Sequence, residues 1–185
     1  MLINIKEMGK KAGAVLPDLL TRPIAKKVLS LMLDKIAMAG AEELVICDFS
    51  GIEVVDPSFV DECLISLLKR SMRESRFHVM LRNLSKIAEE NIEGVIKLHN
   101  ENSDEKVSIL TEQLTCSNTY LIGELSNLEN EVIAFLRING FASVSLLTSL
   151  FPLMSESELS MMLNSMQQRG LIRNADNKIA GYSSV

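Results

Sequence analysis

The chain predicts an α/β fold: a mixed sheet with helices packed against it, followed by a small helical unit that ends in a hairpin. Three observations predict it. Short apolar or alternating runs (Leu2–Lys6, Leu44–Cys47, Arg76–Leu81) are separated by stretches whose apolar residues recur at helical spacing. The alternation stops near residues 115–126, where a compact helical pattern takes over. Beyond Gly170 the chain reads strand, turn, strand. A length of 185 residues accommodates one large domain or two small ones, and the pattern favours two, 1–123 and 124–185.

The elements follow in order. Leu2–Lys6 alternates, with Ile3 and Ile5 on one side and Asn4 and Lys6 on the other, so a strand is expected before a Gly- and Lys-containing loop. Thr21-Arg22-Pro23 reads as a helix start, with Thr21 as N-cap and Pro23 in the first turn. Val28, Leu29, Met32, Leu33 and Ile36 form the apolar face, and Gly40 is the natural stop. Leu44–Cys47 is a continuous apolar run between turn signals, which reads as a buried central strand. A helix from about Asp56–Ser58 carries Phe59, Val60, Cys63, Leu64, Leu67 and Leu68 on one face. In Arg76–Leu81, Phe77, Val79 and Leu81 alternate against Arg76, His78 and Met80. Ser85 caps a helix to about His99, and Val107–Leu110 with Thr119–Ile122 form a late strand pair.

In the second part, Asn127 reads as the cap of a helix with Leu128, Val132, Phe135 and Leu136 inward and Gly140 at its end. The next helix carries Leu146, Leu147 and Leu150. Ser155 and Glu158 form a capping-box pattern for a third, with Leu159, Met162, Leu163 and Met166 inward and Gly170 closing it. Leu171–Arg173 and Lys178–Tyr182 flank the turn Asn174–Asn177.

Composition excludes several functional classes. Hydrophobic residues make up 47% and charged residues 23%, the balance of a chain that buries a core. With 24 acids against 19 bases the net charge is −5, which works against broad attraction to nucleic acid or anionic lipid. Aromatics are 4% with no Trp, so a base-stacking surface is not expected. Lys6, Glu7, Lys10 and Lys11 interrupt the N-terminal region before any signal-peptide core, and no run of about 18 apolar residues suggests a membrane span. Cys47, Cys63 and Cys116 are isolated, which fits a reducing, cytoplasmic setting, and the first two read as small buried hydrophobes. His78 and His99 belong to no ligand pair, whereas zinc needs about four ligands. Neither metal nor cofactor is expected.

The most informative stretch is DFSGIEVVDPSFVDE, Asp48 to Glu62, where a strand hands over through a turn to a helix. Either Asp56 caps that helix with Pro57 at its first position, or Ser58 is the cap with Asp61 three residues on. Both place Asp56 and Ser58 beside free backbone N–H groups, where negative charge is favoured. Asp48, Phe49, Gly51, Ser58, Phe59, Val60, Asp61 and Glu62 resemble the motif of STAS domains, and more closely a bacterial STAS-like family of unknown function. Arg22 and the Arg82-Asn83 pair also resemble family features. The resemblance covers residues 1–115 and implies a non-enzymatic domain that binds a protein, in related anti-sigma factor antagonists a histidine-kinase-like ATPase. Those antagonists carry a phosphorylated Ser or Thr directly after the turn Asp. Here Pro57 stands at that place, so Ser58, one residue on, is the candidate phosphoacceptor or simply a cap.

Three helices and a hairpin resemble a winged helix, whose third helix commonly enters the DNA major groove. Gln168, Arg169, Arg173 and Lys178 are its candidate DNA contacts. Yet residues 124–185 hold four bases against six acids, a net of −2, and residues 1–123 hold a net of −3. Charge therefore favours a docking or dimerising role, and DNA is disfavoured. The expectation is a cytoplasmic regulatory or adaptor protein that contacts its partner through Asp56, Ser58, Phe59, Asp61 and Glu62. Its alternative is a DNA-binding transcription regulator. An enzyme is not expected, because no nucleophile–base pair or phosphate-cradling glycine loop is present.

Overall fold

The computed structural model describes residues 1–38, 43–74, 76–115, 118–152, 154–174 and 181–184. The expectations for Gly40, Cys116, Lys178 and the turn at 175–177 lie outside the described residues. The chain forms two compact units, Met1–Glu124 and Leu125–Val185.

The first unit is α/β. Its sheet runs β1 (Leu2–Asn4), β2 (Glu43–Asp48), β3 (Phe77–Arg82), β4 (Ile109–Gln113) and β5 (Asn118–Ile122), in that spatial order. The first four strands are parallel and β5 pairs antiparallel with β4, so the sheet is mixed. The register sets Ile46 opposite Leu2 and Met80, and Asp48 opposite Arg82, so the strand ends carrying polar residues lie side by side. β3 differs from its expected alternation. His78 and Met80 are buried together with Phe77, Val79 and Leu81. β3 lies inside the sheet, where His78 is paired with Leu44 and Met80 with Ile46 and Leu110, so its second face is covered by neighbouring strands' side chains as well.

The beginning of the chain also differs. β1 stops at Asn4, whose side-chain oxygen accepts the Glu7 N–H at 2.9 Å, and α1 (Ile5–Ala12) follows instead of a loop. Ile5, Met8 and Ala12 recur at helical spacing and are buried, and Gly13 closes the helix at φ 86°. An Asn that can cap wins over a short strand pattern because it satisfies an orphan N–H. α2 (Arg22–Ile36) buries Val28, Met32 and Ile36 against the core, with Leu29 and Leu33 half-buried beside them. Thr21 occupies its N-cap position but makes no side-chain cap.

After β2 the chain forms α3 (Pro57–Phe59), a π-helical segment (Val60–Ile65) and α4 (Ser66–Glu74) without a break. Phe59, Val60, Cys63, Leu64, Leu67 and Leu68 are all buried. α5 (Lys86–Asn102) starts at Ser85, whose hydroxyl accepts the Ala88 N–H. Gly123 stands at φ 117°, and a Cβ there would lie 2.9 Å from the Ser108 Cα.

The second unit runs α6 (Asn127–Asn139), β6 (Ala142–Ser143), α7 (Val144–Leu150), α8 (Glu156–Gln168), β7 (Ile172–Asn174) and β8 (Gly181–Ser184). The three strands pair antiparallel in the order β6–β8–β7. Ser126, not Asn127, caps α6, because Ser126 and Glu129 exchange reciprocal bonds as a capping box; Ser155 and Glu158 do the same for α8. Val132, Ile133, Leu136, Leu147, Leu159, Leu163 and Met166 form the apolar interior. In α7 Leu147 is buried, whereas Leu146 and Leu150 are exposed.

Candidate functional site

Parallel strands deliver their loops to one sheet edge, and that edge is where α/β folds commonly place binding surfaces. Here the loops after β2 and β3 meet there. The segment Leu19–Thr21 joins them through a parallel bridge between Leu19 and Val55. The Leu19 N–H donates to the Val54 carbonyl and the Asp56 N–H to the Leu19 carbonyl, each at 2.9 Å. Asn91 Nδ2 donates to the Val55 carbonyl at 2.9 Å and Ser85 Oγ to that of Glu53. The corner is thus held by backbone bonds on one side and by side-chain bonds to its carbonyls on the other.

Asp56 is the N-cap and Pro57 the first helical residue, the first of the two capping schemes the sequence allows. One carboxylate oxygen, Oδ1, accepts the Ser58 N–H at 2.7 Å and also the Ser58 hydroxyl. A hydroxyl that donates to a carboxylate has a base in place for its proton. Asp61 and Glu62 follow on the π-helical segment and both face Arg22, the first residue of α2. Arg22 Nη1 lies 2.9 Å from Asp61 Oδ2 and 3.3 Å from Glu62 Oε2, and Lys26 Nζ lies 4.0 Å from the other Glu62 oxygen. Hydrogen bonding to Asp61, then to Glu62, raises the Arg22 pKa above its already high ordinary value. The Arg22 and Asp61 side chains are 55% and 47% exposed, so this pair stands at the surface.

Phe59 requires a correction. Expected at the contact face, it is 0% exposed and belongs to the core beneath the corner. The reason is helical geometry: two residues past Pro57, the ring points the opposite way from Pro57, which is exposed. Of the expected contact residues, Asp56, Ser58, Asp61 and Glu62 stand on the accessible side.

A second polar cluster lies at the ends of β2 and β3. Asp48 Oδ1 accepts the Ser50 N–H at 3.0 Å, the Ser50 hydroxyl at 2.7 Å and Asn83 Nδ2 at 3.0 Å. Partial burial works to raise the Asp48 pKa, but these bonds and the charge of Arg82 outweigh it and lower it. Arg82 pairs with Glu112 at 2.7 Å across the β3–β4 ladder, where the two are directly opposite. Asn83 adopts φ 55° and Thr21 φ 72°, and these are the two non-glycine residues with positive φ among the described residues. Asn tolerates that region, whereas a β-branched Thr does not. Both positions flank the same sheet edge, and the strain sits at Thr21, as strained residues do at functional sites.

Sequence reasoning missed the part of Arg22 as partner of Asp61 and Glu62. Nothing local could reveal it, because 40 residues separate Arg22 from Glu62. In the second unit, Gln168 and Arg173 are exposed. Arg169 needs correction as a DNA contact. Its guanidinium pairs with Glu129 of α6, and the two side chains are largely buried, so its charge is spent inside the unit. Among the described residues no cluster of His, Cys, Asp and Glu is arranged to hold a metal ion, and no helix is long and apolar enough to cross a membrane. No family model, curated protein or solved structure matches the chain.

Proposed function

We propose that this chain is a non-enzymatic regulatory adaptor. Its first unit is a STAS-like domain that binds a protein partner, a histidine-kinase-like ATPase, through the corner formed by Asp56, Ser58, Asp61, Glu62 and Arg22. One observation carries the reading: a rigid corner at the carboxyl edge of the parallel sheet presents a half-exposed Arg22–Asp61 pair beside a carboxylate-bound serine. Charged pairs at a rim set partner choice and orientation. Ser58 is the proposed phosphoacceptor. A phosphate there adds about −1.5 to −2 charges next to Asp56 and Asp61, which deepens the negative charge of the face and changes its affinity for the partner.

The second unit is proposed to be a winged-helix-like module with a protein-docking or dimerising role. The helix, strand, helix, helix, strand, strand order and the β6–β8–β7 sheet support that likeness. The internal pairing of Arg169 supports docking over DNA reading.

Affinity capture from the native cells tests the proposal. Wild-type bait should retain a histidine-kinase-like ATPase, identified by mass spectrometry. Asp61→Lys should weaken the complex by about tenfold, the equivalent of 1.4 kcal/mol, while Lys97→Glu on α5 leaves it intact. Retention of the same proteins by wild type and Asp61→Lys would overturn the proposed contact. Intact-mass measurement on the native protein reads the phosphate on Ser58 directly.

A further inference from the structure

The strongest feature outside that corner is a basic row at the other end of the helix it starts. Residues 69–76 read Lys-Arg-Ser-Met-Arg-Glu-Ser-Arg, four bases against one acid in a chain whose net charge is −5. α2 packs on α3 and on the π-helical segment. Beyond them α4 parts from α2, and a groove of about 460 Å³ opens between the two helices. Half-buried Leu29 and Leu33 of α2 line one side of it; Lys69, Arg70 and Arg73 of α4 line the other.

Carboxylates already hold these cations in position. Arg70 Nε lies 2.5 Å from Glu74, and Arg73 and Lys69 lie 3.1 and 3.9 Å from the same Glu105 oxygen. One Glu105 oxygen shared by two cations leaves the row with excess positive charge. The Arg73 side chain is 70% exposed and Arg70 is 51% exposed, so both remain reachable.

We infer that this groove is a second docking site, for an acidic amphipathic segment of a protein partner. Apolar side chains of such a segment would cover Leu29 and Leu33, and its carboxylates would meet Arg70 and Arg73. This is the helix-in-groove mode, with charge selecting the occupant. The apolar wall of Leu29 and Leu33, which a phosphate backbone has nothing to cover with, favours an amphipathic peptide over nucleic acid. The site does not depend on the Ser58 corner.

The test uses the full chain and a fluorescein-labelled helical peptide of about 14 residues, four turns, with Leu on one face and Glu on the other. Its controls are the same peptide with Lys for Glu and a labelled thymidine oligonucleotide. Anisotropy titrations at about 50 mM salt, where screening is weak, should show the Glu peptide binding at least about tenfold more tightly than either control. Arg70→Gln with Arg73→Gln should weaken it by about tenfold with an unchanged melting curve, as both side chains are exposed; Lys97→Gln should not. Equal binding of the two peptides, no binding, or indifference to the double variant would overturn the inference. Tighter binding of the oligonucleotide would do so too, as would a dimer that the double variant dissociates.

Discussion

Phe59→Ala separates a residue that builds the corner from one that touches the partner. The ring is 0% exposed, so all of its transfer free energy is realised in the fold and none is left for a visitor. Removing it deletes buried ring carbons and leaves a cavity in the core between α2 and α5, the two helices that α3 packs against. Neither can collapse freely, which places the loss at about 4 kcal/mol within the usual range for buried Phe→Ala. That is a large share of the roughly 5–15 kcal/mol that holds a domain together. With a urea m-value of about 2 kcal/mol/M, the midpoint should fall by about 2 M. Hydrogen exchange read on peptides from β2 and β3 reports the first unit without interference from the second. Partner affinity of the fraction that remains folded should be unchanged. A midpoint shift below about 0.5 M together with lost binding would refute the reasoning and place the ring on the surface.

Three further outcomes are expected. Gly123→Ala should cost about 3 kcal/mol or more, because the new Cβ meets Ser108 Cβ at 2.8 Å and Val107 O at 3.0 Å at a φ of 117°. Gly13→Ala, at φ 86° with nothing within 4 Å, should cost only about 1 kcal/mol, and equal urea midpoints for the two variants would contradict the overlap. Asp48 has a lowered folded pKa, so its contribution is present above the unfolded value of about 3.9 and is lost as pH falls through the folded one. The stability gap between wild type and Asp48→Asn should therefore narrow from about pH 5 to about pH 2, and a gap independent of pH would sink this assignment. Burial pushes the Cys47 thiol up to about 12 and raises that of Cys63 as well. Both should resist a thiol reagent at about pH 8 until urea unfolds the protein, and prompt labelling of either, located by peptide mapping, would show the core to be open.

Local chemistry alone determined much of this molecule. The burial of Val45 and Cys47, the helix face from Phe59 to Leu68, the caps at Ser85 and Ser155, and the late strand pair are all legible. Each rests on a periodicity or a cap within a few residues. The corner at Asp56–Ser58 is legible for the same reason. Its failures have physical causes. Asn4 ended the first strand because a cap satisfies more backbone than two further strand residues would. His78 and Met80 became buried because β3 lies between β2 and β4 in the interior of the sheet, a location that no alternation encodes. Phe59 belongs to that buried face rather than to the contact surface because α3 packs against α2 and α5.

What the sequence by itself determined, then, is where most turns fall, which segments apart from α1 and β6 are helix or strand, and which stretch carries the unusual polar motif. Only the tertiary structure decided the long-range pairs: Arg22 on Asp61 and Glu62, Asp48 on Asn83, Arg169 on Glu129, and the basic groove between α2 and α4. Capping and periodicity act over one or two helical turns, whereas these contacts join groups tens of residues apart, whose meeting is set by strand order and by the angle at which helices cross the sheet.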